Sequence, residues 1–199
     1  KFQGPEDYLI YNAGSSTTVI IAHASVAKKY PYQHHQPHCP GAYIDQNSIW
    51  FCQENPEEII SVSKIPLKGE FNLDNVMPAV IIGKLVHLEN TTIRQAIISF
   101  KPLEHRLEYL GKFKGIEFYN DSLSTTPIAA IQALQTFSPE VGTIMLGGSE
   151  RFADYKDLAK AVIENKVQTV ILFPTTGEKI WQEISQAAKL VNSSGGDWG

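Results

Sequence analysis

Residues 115–137 have one local reading: a strand, a hydroxyl-rich turn and a helix start. Gly115-Ile-Glu-Phe-Tyr119 alternates like a strand and runs into Asn120-Asp121-Ser122-Leu123-Ser124-Thr125-Thr126-Pro127. Thr126 fits an N-cap, Pro127 fits the first helical position, and Ile128 to Leu134 continues at helical spacing. A helix start of this kind presents backbone N–H groups and the positive end of its dipole to an anion. Ser122, Ser124, Thr125 and Thr126 add hydroxyls there, so a carboxylate or phosphate is the natural guest.

From Pro102 onward the pattern alternates strand and helix. Residues 107–113 and 115–120 predict a hairpin, and 127–137 a helix. Thr143-Ile-Met-Leu-Gly147 predicts a buried strand ending in Gly147-Gly148, and 154–165 a helix. Val167 to Phe173 predicts a second buried strand and 176–190 a last helix. Short connections between such elements imply right-handed crossovers and a largely parallel sheet, an α/β fold class. The tail from Asn192 to Gly199 has no periodicity and reads as disordered or truncated.

The first hundred residues read differently. Tyr8–Tyr11, the hairpin Ala42–Asp45 and Ser48–Cys52 around a Gln46-Asn47 turn, and Glu58–Val62 make a β-rich stretch. Residues 15–27 fit helix or strand. Asn72 to about Leu88 carries apolar residues at helical spacing, and a second helix is predicted for Thr92–Phe100 with Asn90 or Thr91 as cap. Pro102 marks a boundary, giving domains 1–101 and 102–199.

Composition narrows the function classes. The 199 residues are 43% hydrophobic with a formal net charge of −4, which argues against broad nucleic-acid or membrane-surface binding. No apolar run reaches transmembrane length and no signal-peptide core opens the chain. It does not begin with Met, which reads as a fragment. Two cysteines, Cys39 and Cys52, suggest free thiols in a reducing compartment more than a disulfide scaffold.

Several residues stand out by chemistry. Arg106, in Glu104-His105-Arg106, suits a nucleotide phosphate, or a surface ion pair with Glu104 or Glu108. Asn72 and Asn75 lie at i and i+3 on one helix side, as amides that read a base edge would, though Asn72 also fits an N-cap. The loop Gly147 to Asp154 lets backbone approach a ligand, and Arg151 could fork onto a carboxylate or phosphate, or simply be solvated. His34-His35-Gln36-Pro37-His38-Cys39 has metal-ligand composition without structural-zinc spacing, so it reads as a polar loop and no metal site is assigned. Neither a G-x-x-x-x-G-K-[ST] loop nor a G-x-G-x-x-G motif is present.

In order, Leu67-Lys-Gly-Glu-Phe-Asn72-Leu-Asp-Asn75, Glu104-His-Arg106-Leu-Glu108, Asn120 to Thr126 and Leu146-Gly-Gly-Ser-Glu-Arg-Phe-Ala-Asp154 resemble the Mur ligase family over nearly the whole chain. They look most like its branch that adds glutamate to UDP-N-acetylmuramoyl-L-alanine in bacterial peptidoglycan synthesis. The resemblance implies the end of a central ATPase domain followed by a C-terminal Rossmann-like domain lacking its last strands. The P-loop and magnesium ligands would lie in the part not present. It implies an ATP- and Mg2+-dependent, monomeric, cytoplasmic ligase working through an acyl phosphate, with this piece inactive alone. Asn72 and Asn75 would lie near adenine, Arg106 and Asp121 near the ATP phosphates or ribose. Ser122, Ser124, Thr125 and Arg151 would hold glutamate. The chain departs from the family pattern at Phe71 (usually His), Leu123 (usually Lys), Pro127 (usually Asn) and Arg151 (usually Lys). The missing cation at Leu123 leaves L-glutamate or another amino acid open; a related, folylpolyglutamate-like ligase is a further alternative, and the absence of a P-loop favours a non-catalytic Rossmann-like binding module as another.

Overall fold

The computed structural model describes residues 2–35 and 39–193. The chain divides into two compact units, Lys1–Pro102 and Leu103–Gly199.

The first unit is built on a five-stranded sheet in the order β1-β2-β3-β4-β5. The strands are β1 (Tyr8–Asn12), β2 (Lys28–Gln33), β3 (Gly41–Asp45), β4 (Ser48–Cys52) and β5 (Pro56–Ser61). β1, β2 and β3 run parallel, and β3, β4 and β5 pair antiparallel. Helix α1 (Ser16–Ala24) carries the crossover between β1 and β2, which resolves the ambiguous stretch 15–27 as helix. The Gln46-Asn47 turn has positive φ at both residues, the geometry whose twist matches a two-residue hairpin. No strand signal is visible at β2 because Pro31 lies inside it, and proline cannot donate to a ladder. The structure accommodates it because β3 joins only from Tyr32, one residue further on.

Helix α2 (Leu73–Leu85) covers this sheet. Its buried residues Leu73, Val76, Met77, Val80 and Ile81 recur at helical spacing and meet Tyr30, Ala42, Ile49, Phe51, Ile59 and Ile60 in one core. Helix α3 (Asn90–Ser99) packs on α2 where Gly83 leaves room for Ile93. Neither Asn90 nor Thr91 caps α3: the N-cap is Glu89, and the Asn90 side chain instead joins Lys84 and Glu57.

The expectation of free thiols is corrected here. Cys39 and Cys52 form a disulfide with Cα atoms 5.0 Å apart. The antiparallel register places Gly41 opposite Cys52, so Cys39, two residues upstream, is already within bridging reach. Cys52 is buried.

The second unit holds β6 (Glu108–Phe113), β7 (Ile116–Asn120), α4 (Pro127–Phe137), β8 (Thr143–Gly147), α5 (Lys156–Glu164), β9 (Thr169–Phe173) and α6 (Gly177–Ser193). β8 and β9 are parallel, with α5 as crossover. β6 and β7 form a separate hairpin, so the strands make two small sheets rather than one largely parallel sheet. A tight turn with positive φ at Lys114 and Gly115 closes the hairpin locally, where loop closure costs least. Leu134, Leu146, Leu158, Val162, Val167, Ile180 and Ile184 form the core between α4, α5, α6 and the β8–β9 pair. The two strands predicted as buried are buried on one face only: Met145, Ile171 and Phe173 are exposed. Their apolar composition hides this, because three helices cover one side of the pair.

Candidate functional site

The loop that carries Arg106 is tied to the turn that carries Asp121. Arg106 is half-buried and sits between two non-glycine residues of positive φ, His105 at 64° and Leu107 at 44°. Such backbone is strained and persists only where neighbours over-determine it. Here they do. The Leu107 N–H donates to Asp121 Oδ1 at 3.0 Å, and the Leu123 N–H donates to the His105 carbonyl at 3.1 Å. The His105 N–H donates to Glu108 Oε2 at 2.8 Å, and the His105 ring Nδ1 lies 2.7 Å from the Asn120 amide nitrogen. Glu108 therefore turns to His105.

Asp121 is consumed in holding the turn. Its Oδ2 accepts the Ser124 hydroxyl at 2.5 Å, and its carbonyl accepts the Ser124 N–H at 2.9 Å. The Ser122 N–H donates to the Asn120 side chain at 3.1 Å. The hydroxyl-rich turn thus has fewer open donors than its composition suggests, since the N–H groups of Ser122, Leu123 and Ser124 are all occupied. The N–H groups of Thr125 and Thr126 have no partner among the described residues. Thr126 caps α4, its Oγ1 accepting the Ala129 N–H at 3.4 Å, and Pro127 stands at the first helical position as predicted.

The second loop leaves β8 through Gly147 and Gly148, with φ of 129° and 131°. A Cβ on Gly147 would stand 2.3 Å from the Phe173 carbonyl oxygen, so only glycine lets the ends of β8 and β9 come this close. The Gly148 carbonyl accepts the Thr175 and Thr176 N–H groups and the Thr176 hydroxyl. Lys179 pairs with Glu150, and this hydrogen bond holds the Glu150 carboxyl below the usual carboxylate range. Glu150 in turn accepts the Arg151 and Phe152 N–H groups at 2.9 and 2.7 Å. That leaves the Arg151 side chain exposed, without a hydrogen bond or ion pair among the described residues.

The two loops meet. A depression of about 300 Å³ is lined by Thr126, Pro127, Ile128 and Ile131 on one side and Ala153, Asp154 and Asp157 on the other. Asp154 and Asp157 carry no sequence signal beyond their place at the start of α5. They add negative charge beside the α4 N-terminus, which disfavours an anion there unless donors offset it.

Asn72 and Asn75 belong to the other unit. Their side chains meet, Asn75 Nδ2 donating to Asn72 Oδ1 at 3.3 Å, as i and i+3 spacing predicts. Asn72 does not cap α2 with its side chain. It is 6% exposed and donates to the Lys68 carbonyl at 2.6 Å. Asn75 is exposed, and its side-chain oxygen and second N–H have no partner among the described residues. His34 Nε2 lies 3.0 Å from Asp74 Oδ1. His38 lies outside the described residues. No group of three or more His, Cys, Asp or Glu among the described residues is placed to hold a metal ion. No helix among them is long and apolar enough to cross a membrane.

A strained arginine loop pinned to a strand-to-helix turn, and a glycine loop at the end of a parallel strand, lie together in one α/β unit. No family model matches the chain. Its sequence is 32% identical over 187 residues to the UDP-N-acetylmuramoylalanine–D-glutamate ligase of Geobacillus sp. (strain WCH70), covering 94% of this chain and 40% of that protein. It is 35% identical over 185 residues to the ligase of the same name from Koribacter versatilis (strain Ellin345), covering 92% of the chain and 40% of the relative. The fold is shared with the UDP-N-acetylmuramoylalanyl-D-glutamyl-2,6-diaminopimelate–D-alanyl-D-alanyl ligase of Acinetobacter baumannii, with a TM-score of 0.68 at 13% identity over 94% of the chain and 44% of that protein. A pseudomurein peptide ligase type C of Methanothermus fervidus shares it at a TM-score of 0.54 and 16% identity, over 74% of the chain and 30% of that protein. Over about nine tenths of its length the chain is thus similar to Mur ligases. It spans about 40% of the length of the curated relatives it matches.

Proposed function

We propose that this chain is part of an ATP-dependent ligase that forms an amide between glutamate and UDP-N-acetylmuramoyl-L-alanine in peptidoglycan precursor synthesis. The observation that carries the reading is the clasp between residues 105–108 and 120–124. It fixes a half-buried Arg106 beside Asp121 in a sequence homologous to D-glutamate ligases.

ATP fits the residues present in part. When bound it activates the acceptor carboxylate for attack by an amine. Asn75 has the open amide for a base edge, and Arg106 has the charge and loop constraint for a phosphate. The reading leaves magnesium to the part of the protein outside this chain, and no step is assigned to it here. The work assigned to this chain is positioning and charge compensation. Arg106 is held before the anion arrives, so little reorganisation accompanies binding. Thr125, Thr126 and Arg151 provide donors for the glutamate carboxylate. The Ser124 hydroxyl is committed to Asp121, so Ser124 acts by holding the turn, and Ser122 is the exposed serine of the pair.

Leu123 is 49% exposed where a lysine is usual in the family pattern, and the Arg151 side chain has no hydrogen bond or ion pair among the described residues. The test is phosphate release by the complete natural protein with ATP, Mg2+ and UDP-N-acetylmuramoyl-L-alanine, supplied with D- or L-glutamate. Release with D-glutamate supports the reading. Arg151→Ala should then raise the glutamate KM at least about tenfold, the worth of one charge-assisted pair, and leave the ATP KM in place. Absence of release with either enantiomer overturns it.

A further inference from the structure

The Cys39–Cys52 disulfide has a place in the fold that the ligase reading does not use. Cys52 ends β4 and is 3% exposed, whereas Cys39 is exposed. The chain leaves β2 after Gln33 and re-enters the sheet at Gly41. That connection is held at both ends, by His34 on Asp74 at 3.0 Å and by Cys39 on Cys52. Asp74 lies in the first turn of α2, between Asn72 and Asn75. His34 and Cys39 are five residues apart in sequence, so release of Cys39 from Cys52 frees chain close to a polar contact at the start of the amide-bearing helix.

We propose that Cys39 and Cys52 form a reversible thiol–disulfide site whose redox state sets how firmly the His34–Asp74 contact and the first turn of α2 are held. The unequal exposure assigns the roles. The accessible Cys39 thiolate attacks a small-molecule disulfide, forms a mixed disulfide and releases one small thiol. The Cys52 thiolate then attacks Cys39 Sγ and releases the second. Two protein thiols are oxidised to one disulfide, one small disulfide is reduced to two thiols, and those thiols carry the two protons. In the reverse direction a small thiolate enters at Cys39 and Cys52 leaves. The inference stands on the disulfide and its neighbours and does not depend on what the ligase joins.

The experiment compares the wild-type chain treated with glutathione disulfide and with excess dithiothreitol, read by maleimide mass labelling and by amide hydrogen exchange. The reduced chain should take two maleimides and the re-oxidised chain none. Reduction should speed exchange in peptides covering residues 31–35 and 72–76 by at least about fivefold, as expected for local opening, and leave peptides of α5 unchanged. His34→Asn should give the fast α2 exchange in both redox states. Cys39→Ser should leave Cys52 slow to form a mixed disulfide, and Cys52→Ser should leave Cys39 fast. Equal exchange at 31–35 and 72–76 in the oxidised and reduced wild type overturns the coupling. Failure of glutathione disulfide to restore the bond overturns the site. Both of these readouts use only the wild-type chain.

Discussion

The Asp121 carboxylate accepts the Leu107 N–H at 3.0 Å across fourteen residues of sequence, and Leu107 is the strained residue that follows Arg106. One carboxylate therefore serves two structures: its other oxygen takes the Ser124 hydroxyl and closes the turn before α4.

Removing that carboxylate should loosen both. Asp121→Ala loses two hydrogen bonds at a half-buried site, which costs about 2 kcal/mol. Asp121→Asn keeps an acceptor for Leu107 and should cost less. Urea denaturation of the chain followed by circular dichroism orders the three proteins, and equal midpoints for Asp121→Ala and wild type would contradict the clasp.

Gly147 is a second point of rigidity. Gly147→Ala puts a methyl 2.3 Å from the Phe173 carbonyl oxygen and asks alanine to adopt a φ of 129°. The two penalties together predict a loss of about 3 kcal/mol. Gly142→Ala, where an added Cβ meets nothing within 4 Å, is the control and should change the unfolding midpoint little.

Stability should fall in acid partly through Glu57. The Lys84 ammonium, then the Asn90 amide, hydrogen-bond its carboxylate and hold it below the usual 4.5. A carboxyl depressed in the folded state stabilises above its unfolded pKa, and that contribution disappears as pH falls through the folded value. The window is therefore below about pH 4.5. The Glu57 side chain is 45% exposed, so solvent screening keeps the effect under about 1 kcal/mol. Glu57→Gln should flatten this part of the pH–stability curve measured between pH 3 and 6; an unchanged slope would remove Glu57 from the account.

The disulfide should be visible in equilibrium stability. It closes a loop of sequence separation 13, for which the chain-entropy account gives about 3 kcal/mol. Excess dithiothreitol should lower the denaturation midpoint of wild type and leave that of the Cys39→Ser, Cys52→Ser double variant where it is.

Much of the second unit was legible because its signals are local. Thr126 and Pro127 mark the start of α4, and the structure places the helix at Pro127–Phe137 as predicted. The Gln46-Asn47 turn and the spacing of Val76, Val80 and Ile81 are equally local. The pairing of Asn72 with Asn75 followed from i and i+3 geometry alone. The site was legible as a set of residue types. Their roles were not, since Ser124 and Asp121 read as open groups while the fold spends their side chains on the turn.

The sequence by itself determined the start of α4, the β3–β4 hairpin and the apolar spacing of α2, because capping, turn chemistry and periodicity act over a few residues. It also carried the ordered motifs that resemble those of the Mur ligase family. Tertiary structure alone decided the contacts that cross many residues. These are the Cys39–Cys52 bond in place of free thiols, β2 despite Pro31, the one-sided burial of β8 and β9, and the clasp of Leu107 on Asp121. Each depends on which segments the packed core brings within a hydrogen bond or a covalent radius, and no local pattern encodes that distance.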